Sequence, residues 1–556
     1  MQDWFAQHLL PLFSNLTEDT VKSWFVYNPQ EPLLFNTGLF LGFFLVFYSI
    51  YIALKNTFYP RMVYVICFSL FFYYKSSGIF FLLLVGTSIF DYTLANMVHR
   101  ATKDGVKKLY LTFSVLANLG LLGYFKYTNF LIDSYNVISG SDFSFQKILL
   151  PVGISFFTFQ SISYVIEIYR KEIEPTKNYV DYLFFVSFFP QLVAGPIVRA
   201  KDFLPQIYSK LNVTEVEINR AFLLIIGGVI KKVVVSDYIS TNFVDRVYDI
   251  PSAYTPFENL LAAYGYSIQI YCDFSGYSDM AIGIALLLGF KLPTNFRTPY
   301  QSESITEFWR RWHISLSTWL KDFLYISVGG NRAGSFAGFL FPILFFVALL
   351  GWGIYELNVS MIPLIVALSA IGIFTLSFLL SKNGKKTMFT DVNLLTTMLL
   401  GGLWHGASLR FIVWGALHGI ALAVHKLFME YFPDQTKSKF ASKLWTVVSV
   451  IITFHFVAFC WIFFRAKDFS VALEVIENIG KITYDPQQWW IILTGYTNVV
   501  GLMIFAFVWH YLPEGFVNKM QLGFIKLPLL GKAIVMAFIY WLVYATAQAG
   551  PQPFIY

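Results

Sequence analysis

The chain has 556 residues, of which 56% are hydrophobic, 19% aromatic and only 13% charged, whereas a soluble domain carries about 25% charged residues. A mean hydropathy of +0.59 and the lack of any long polar region exclude a string of water-soluble domains and point to an all-α, polytopic transmembrane helix bundle. The net charge of +7 comes from Lys and Arg scattered through short loops, so it reads as the cytoplasmic loops of a multi-pass protein and not as a nucleic-acid interface.

Residues 1–31 are mixed polar, without a basic start and apolar core, so the first apolar run is expected to direct insertion. Runs long enough to span a bilayer follow at Leu34–Leu54, Ile79–Met97, Leu109–Leu131, Ile148–Tyr169, Leu260–Phe290, Phe336–Tyr355, Ile362–Leu380, Phe411–Leu427, Val447–Phe464, Trp489–Trp509 and Ala533–Ala547. Met62–Tyr74, Tyr182–Ile197 and Phe222–Val235 are shorter and suit tilted, re-entrant or buried segments. Lys55 and Arg61 follow the first run, His99, Arg100, Lys103, Lys107 and Lys108 the third, and Arg170, Lys171 and Lys177 the fifth. Basic loops stay cytoplasmic, which predicts an extracytoplasmic amino terminus.

Residues 304–325 differ from all of these. Ile305, Phe308, Trp309, Trp312, Leu316, Trp319, Leu320 and Phe323 recur at spacings of three and four, opposite Arg310, Arg311, Ser317, Thr318, Lys321 and Asp322. The pattern predicts one amphipathic helix, opened by a Ser304/Glu307 capping box and stopped by Gly329-Gly330, that lies in the interface or wedges between spanning helices. His313 sits about 80° from the centre of its apolar stripe, where a packing role is the commoner one.

His405 lies in Gly401-Gly402-Leu403-Trp404-His405-Gly406-Ala407, inside an apolar stretch beginning at Leu394. An ionisable residue at membrane depth marks a functional site by default, and imidazole can both accept and donate a proton near neutral pH. The flanking glycines admit close approach of a neighbouring helix or of a substrate. His418 and His425 follow, with a helix-packing Gly415-x-x-x-Gly419, and His418 reads as a buried hydrogen-bonding residue. Asp273 and Asp279 stand six residues apart in an apolar run, each able to orient a histidine or to pair with an arginine such as Arg297. Cys67, Cys272 and Cys460 stand singly, and no histidine has metal-ligand spacing, so neither a disulfide framework nor a metal site is expected.

Phe189-Pro190-Gln191-Leu192-Val193-Ala194-Gly195-Pro196, the run Asp273–Asp279, Asn295-Phe296-Arg297-Thr298-Pro299-Tyr300, Phe308-Trp309-Arg310-Arg311-Trp312-His313-Ile314-Ser315, Gly329-Gly330-Asn331-Arg332 and Leu403-Trp404-His405-Gly406-Ala407 occur in one order. In that order they resemble the membrane-bound O-acyltransferase family, in the branch of the alginate O-acetylating membrane subunits, and the closing Pro553-Phe554-Ile555-Tyr556 resembles that branch's ending. The resemblance covers about residues 150–425 and implies one transmembrane acyltransferase domain over residues 1–556. It implies transfer of an acyl group, usually acetyl, from a cytoplasmic thioester such as acetyl-coenzyme A, with no covalently bound cofactor. The acceptor would be hydroxyls of an extracytoplasmic polysaccharide, reached from the bacterial inner membrane with a periplasmic partner of the SGNH-hydrolase type. The residue matching His405 is the family's main catalytic histidine and His313 matches a second. Trp404, Asp273, Asp279, Arg310, Arg311 and Asn331 would support the site or its substrate channel.

A sugar hydroxyl is a poor nucleophile, so His405 is expected to serve as general base or to activate a relay acceptor, with His313 orienting the donor or stabilising charge on its carbonyl oxygen. Relatives in this branch have a shorter connection where residues 336–380 suggest an added helical hairpin. Two alternatives stand beside this reading: D-alanyl or other acyl transfer from a carrier protein to a cell-envelope polymer, and a transporter using His405 in a proton relay. The transporter predicts inverted repeats, and none is visible.

Overall fold

The computed structural model describes residues 17–355, 362–432 and 439–546, so the residues between the two helices of the expected hairpin and the closing Pro553–Tyr556 motif lie outside it. Among the described residues the chain is helical and contains no strand. Phe58–Arg100, Asp104–Asn136, Leu409–Tyr431 and Lys443–Arg465 are each long and apolar enough to cross a bilayer. Two bent pairs reach span length only together: Pro486–Gly495 with Thr497–His510, at 90°, and Lys519–Lys526 with Leu530–Val543, at 119°. The run Trp489–Trp509, expected as one span, is therefore broken at Tyr496.

The helix Pro256–Leu287 forms the centre of the bundle. Thr255 and Glu258 close a capping box at its start, with the Glu258 amide donating to Thr255 Oγ1 at 3.3 Å and the Thr255 amide to Glu258 Oε2 at 2.9 Å. Most of its side chains from Ala262 to Leu287 are buried. Its polar content is tolerated because it faces protein and not lipid. It packs on Glu215–Val229 through glycines: a Cβ on Gly276 would stand 2.7 Å from the Gly228 carbonyl, and one on Gly228 would stand 2.5 Å from the Gly276 carbonyl. Backbones this close gain van der Waals contact that any side chain would forbid.

Of the short apolar runs, Met62–Tyr74 lies inside the continuous helix Phe58–Ser77, whereas the other two are interrupted. Tyr179–Ser187 is followed by one turn, Phe189–Leu192, and then by non-helical chain through Val198, all of it buried. Irregular backbone at this depth persists only where protein groups satisfy it. Here the Phe189 amide donates to Ser69 Oγ at 3.2 Å and the Ile197 amide to Ser315 Oγ at 3.0 Å. The Phe222–Val235 run continues from Glu215–Val229 into a π-helical stretch, Ile230–Asp237. The run Ile148–Tyr169 becomes helical only at Ile154, because Gly153 takes φ +75°.

The amphipathic segment is not one helix. It forms Ile305–Arg311, breaks at Trp312-His313, resumes as Ile314–Trp319 and ends as a π-helical turn, Leu320–Tyr325. His313 occupies the left-handed region, φ +41°, rare for a residue with a side chain. Its apolar residues wedge into the bundle: Phe308, Trp312, His313 and Leu316 are all buried. Phe336–Tyr355 and Ile362–Leu380 are both helical, and Thr396 Oγ1 on Gly384–His405 donates to the Gly338 carbonyl at 2.7 Å.

Gly384–His405 and Leu409–Tyr431 form a close antiparallel pair. A Cβ on Gly402 would lie 2.2 Å from the Phe411 carbonyl, one on Gly415 2.3 Å from the Met398 carbonyl, and one on Gly406 2.0 Å from the Phe411 ring. The glycines beside His405 thus admit the partner helix and leave no room at these points for substrate. Gly402→Val is expected to prevent this pairing, with loss of monodisperse protein in detergent by size-exclusion chromatography, whereas Gly501→Ala, facing open space, should behave as wild type.

Candidate active site

His405 is the last residue of Gly384–His405; the residue is partly exposed while its Nδ1 is buried. The carbonyls at that helix end are held from the side: Tyr127 Oη donates to the Leu403 carbonyl at 2.6 Å and Lys126 Nζ to the Trp404 carbonyl. A cation at a helix carboxyl end also complements the dipole. The His405 ring stands edge-on to Trp404 at 4.9 Å, Trp414 at 5.2 Å and Phe464 at 5.1 Å, so aromatic rings fix its orientation.

Trp404 lies between the two histidines, with its ring 6.0 Å from that of His313. Phe159 stacks on Trp404 at 5.6 Å and on Trp319 at 3.8 Å, tying the His405 motif to the segment after His313. His313 is fully buried. Its Nδ1 is 3.1 Å from Asn295 Oδ1, which also accepts from the Ser315 amide at 3.2 Å and from Ser315 Oγ at 2.9 Å. Asn295 Nδ2 donates to Ser278 Oγ at 3.1 Å, so the amide orientation follows from its neighbours. An oxygen accepting from Ser315 requires a donor from the ring as well. Neutral His313 therefore carries its proton on Nδ1 and presents a lone pair on Nε2. Such a ring accepts hydrogen bonds at Nε2 and does not donate one there.

The left-handed turn at His313 has its reason in the same contacts. The Ile314 amide donates to the Asn295 carbonyl at 2.9 Å and the Arg297 amide to the Arg311 carbonyl at 2.9 Å, so the loop 295–297 pairs with the helix break. Asn295→Ala is expected to lower transfer about 10- to 100-fold, with a mixed effect on kcat and KM, because His313 loses the partner that holds its ring in place. Asn295→Asp, which keeps the accepting oxygen, should recover part of the loss, and kinetics of both variants check this.

The remaining predicted residues fall elsewhere. Asp273 and Asp279 are each held by a lysine. Lys232 Nζ lies 2.5 Å from Asp273 and 2.8 Å from Asp237, and Lys231 Nζ lies 2.7 Å from Asp279. The π-helical stretch turns both lysines onto one helix, a distortion that often accompanies functional sites. Arg311 is bound by Glu307 at 2.6 Å and Arg310 is exposed. Asn331 is exposed and accepts from Tyr325 Oη at 2.6 Å, without contact to either histidine. His418 is buried and accepts from Trp309 Nε1 at 3.3 Å, the hydrogen-bonding role expected of it. Asn295, Lys126, Tyr127, Lys231 and Lys232 were not singled out from the sequence. The lysines carried a signal, since each interrupts an apolar run. Among the described residues no cluster of His, Cys, Asp or Glu could hold a metal ion.

The sequence model of the membrane-bound O-acyltransferase family matches residues 170–355, which include His313. A peptidoglycan O-acetyltransferase of Helicobacter pylori is 35% identical over 478 residues, 80% of each chain. A probable alginate O-acetylase of Pseudomonas aeruginosa is 34% identical over 527 residues, 94% of this chain and 88% of its own. A teichoic acid D-alanyltransferase of Bacillus subtilis is more distant, 27% identical over 327 residues, 57% of this chain and 69% of its own. These relatives are acyltransferases, which sets the transporter reading aside. With the apolar helices of a multi-pass membrane protein and this degree of likeness over most of its length, the chain belongs to the membrane-bound O-acyltransferase family and is an O-acyltransferase.

Proposed function

We propose that the protein moves an acetyl group from a cytoplasmic thioester to hydroxyls of an extracytoplasmic polysaccharide, with His405 as general base. The observation that carries this reading is the pairing of a partly exposed His405 with a sealed His313 across Trp404. His405 takes the proton as the hydroxyl oxygen attacks the thioester carbonyl carbon. Collapse of the tetrahedral intermediate breaks the C–S bond, and the thiolate leaves with the proton returned by His405. His313, held by Asn295, is a positioning residue that sets the Trp404 indole against His405. Burial of the reacting groups limits hydrolysis of the donor.

The relatives' acceptors, peptidoglycan and alginate by their names, support a cell-envelope polysaccharide as acceptor. The geometry of the loops supports the expected orientation. His99 meets Glu174 at 3.2 Å, Asn178 meets Tyr59 at 3.5 Å and Lys201 meets Glu172 at 3.4 Å, so the basic loops gather at one end of the bundle. That end is assigned to the cytoplasm of a bacterium, the membrane to its inner membrane and residues 1–556 to one domain. An extracytoplasmic acetyltransferase of the SGNH type is assigned as partner.

The test is transfer of radiolabelled acetyl from acetyl-coenzyme A by the purified protein in nanodiscs, with that partner and candidate polysaccharides, against His405→Ala. Label in polysaccharide with wild type alone supports the reading. Equal transfer by both proteins would overturn the role of His405. Transfer only from a carrier-protein thioester would replace coenzyme A as donor and bring the D-alanyl alternative forward.

A further inference from the structure

We propose that a cavity at the basic end of the bundle, centred on Arg61, binds a phosphate ester. The cavity measures about 310 Å³ and is lined by Arg61, Ser209, Lys210, Asn212 and Lys291 among others, with Glu217 as the acid of the lining. That volume is at the lower end for a small-molecule site, roughly 300–1,000 Å³, and suits a phosphate with an attached glycerol or ribose.

Arg61 is the reason to expect an anion. It is only 7% exposed, and its Nη1 donates to the Lys55 carbonyl at 2.8 Å. Among the described residues no carboxylate lies within ion-pair distance of it. A buried guanidinium bonded to a single carbonyl keeps donors in a planar fork that matches phosphate geometry. Lys210 is exposed at the cavity, and Lys291 is held to Glu217 at 3.0 Å while 73% exposed, so its ammonium is free to swing to a ligand.

The wall is built and not incidental. Gly289 takes φ +82°, and a Cβ there would stand 2.4 Å from Leu211 Cδ1. The turn is thus pressed against the 209–212 loop. The Lys291 amide donates to Gln206 Oε1 at 2.8 Å and Gln206 Nε2 to the Lys291 carbonyl at 3.1 Å, which fixes the backbone carrying Lys291. Next to this turn, Tyr51 Oη donates to the Leu288 carbonyl at 2.6 Å.

Two molecules carry this chemistry to a membrane protein's basic end: an anionic phospholipid headgroup, and the phosphates of a nucleotide-bearing acyl donor. The second rests on the function proposed above; the first does not. The full-length protein in phosphatidylcholine nanodiscs would be titrated with 3′,5′-ADP, and native mass spectrometry would count phosphatidylglycerol retained by detergent-solubilised protein. Both measurements compare wild type with Arg61→Ala and with Lys210→Gln/Lys291→Gln, whose exposed side chains can change without loss of the fold. At least a fivefold loss for one probe in both variants is expected. Loss of 3′,5′-ADP binding assigns the donor's phosphates, and loss of phosphatidylglycerol retention assigns lipid. Binding of both probes that is absent from wild type, or unchanged in the double lysine variant and in any folded Arg61→Ala protein, would overturn the proposal. Neither readout depends on acetyl transfer, so failure here is distinguishable from failure of the functional reading.

Discussion

Replacing His405 with alanine is expected to lower the transfer rate by about 10³-fold or more, within the range attributed to a positioned general base, while His313→Ala costs about 10²-fold or less. The difference follows from access. His405 is a partly exposed residue at a helix end, where the proposed reading has it meet a substrate hydroxyl, whereas His313 is sealed and on that reading acts through its packing near Trp404. A general base acts on the chemical step, so the loss for His405→Ala should fall on kcat and leave KM for the donor nearly unchanged. For His313→Ala a mixed effect on kcat and KM is expected, as Trp404 loosens. Steady-state kinetics on nanodisc-embedded protein, with melting temperatures recorded for each variant, would check both. An equal loss in the two variants would instead make the histidines joint participants and contradict the assignment of His313 as a positioning residue.

The second large effect concerns stability. Lys232→Ala is expected to destabilise the protein by about 3–5 kcal/mol, the scale for removing one partner of a buried ion pair. Lys232 is 1% exposed and lies between Asp273, which is fully buried, and Asp237. Its removal leaves two carboxylates without this cation in the centre of the bundle. Asp273→Asn leaves the Lys232–Asp237 pair with no net charge and should cost about 1–3 kcal/mol, the range for a weakened buried hydrogen bond. Thermal unfolding in detergent would rank the two. If Asp273→Asn were as damaging as Lys232→Ala, the cluster would not be governed by charge balance, and a direct part for Asp273 in the site would have to be reconsidered.

Much of the local detail was decided by contacts that sequence periodicity does not carry. Residues 304–325 have a helical pattern throughout, yet the chain turns left-handed at His313 because Asn295 and Arg297 take up the backbone groups that the break frees. Local periodicity sees the apolar stripe but not the partner loop. The acids Asp273 and Asp279 were visible as anomalies in an apolar run. Their partners, Lys231 and Lys232, were equally visible, but only the packing of Gly228 against Gly276 brings the two helices close enough to pair them.

By itself the sequence determined the solvent, the helical class and the family, and it marked His405 as an anomaly. These follow from quantities summed along the chain or from short motifs: an apolar composition that only helices can satisfy in lipid, and an imidazole where an ionisable group is costly. The tertiary structure alone decided that Trp404 stands between His313 and His405 and that Asn295 sets the His313 tautomer. It also decided that Lys126 and Tyr127 hold the helix end and that the glycines around His405 serve a neighbouring helix. Most of these are contacts between residues well separated along the chain, as Lys126 and Trp404 are, and their energy depends on distances of a few ångströms that no local pattern encodes.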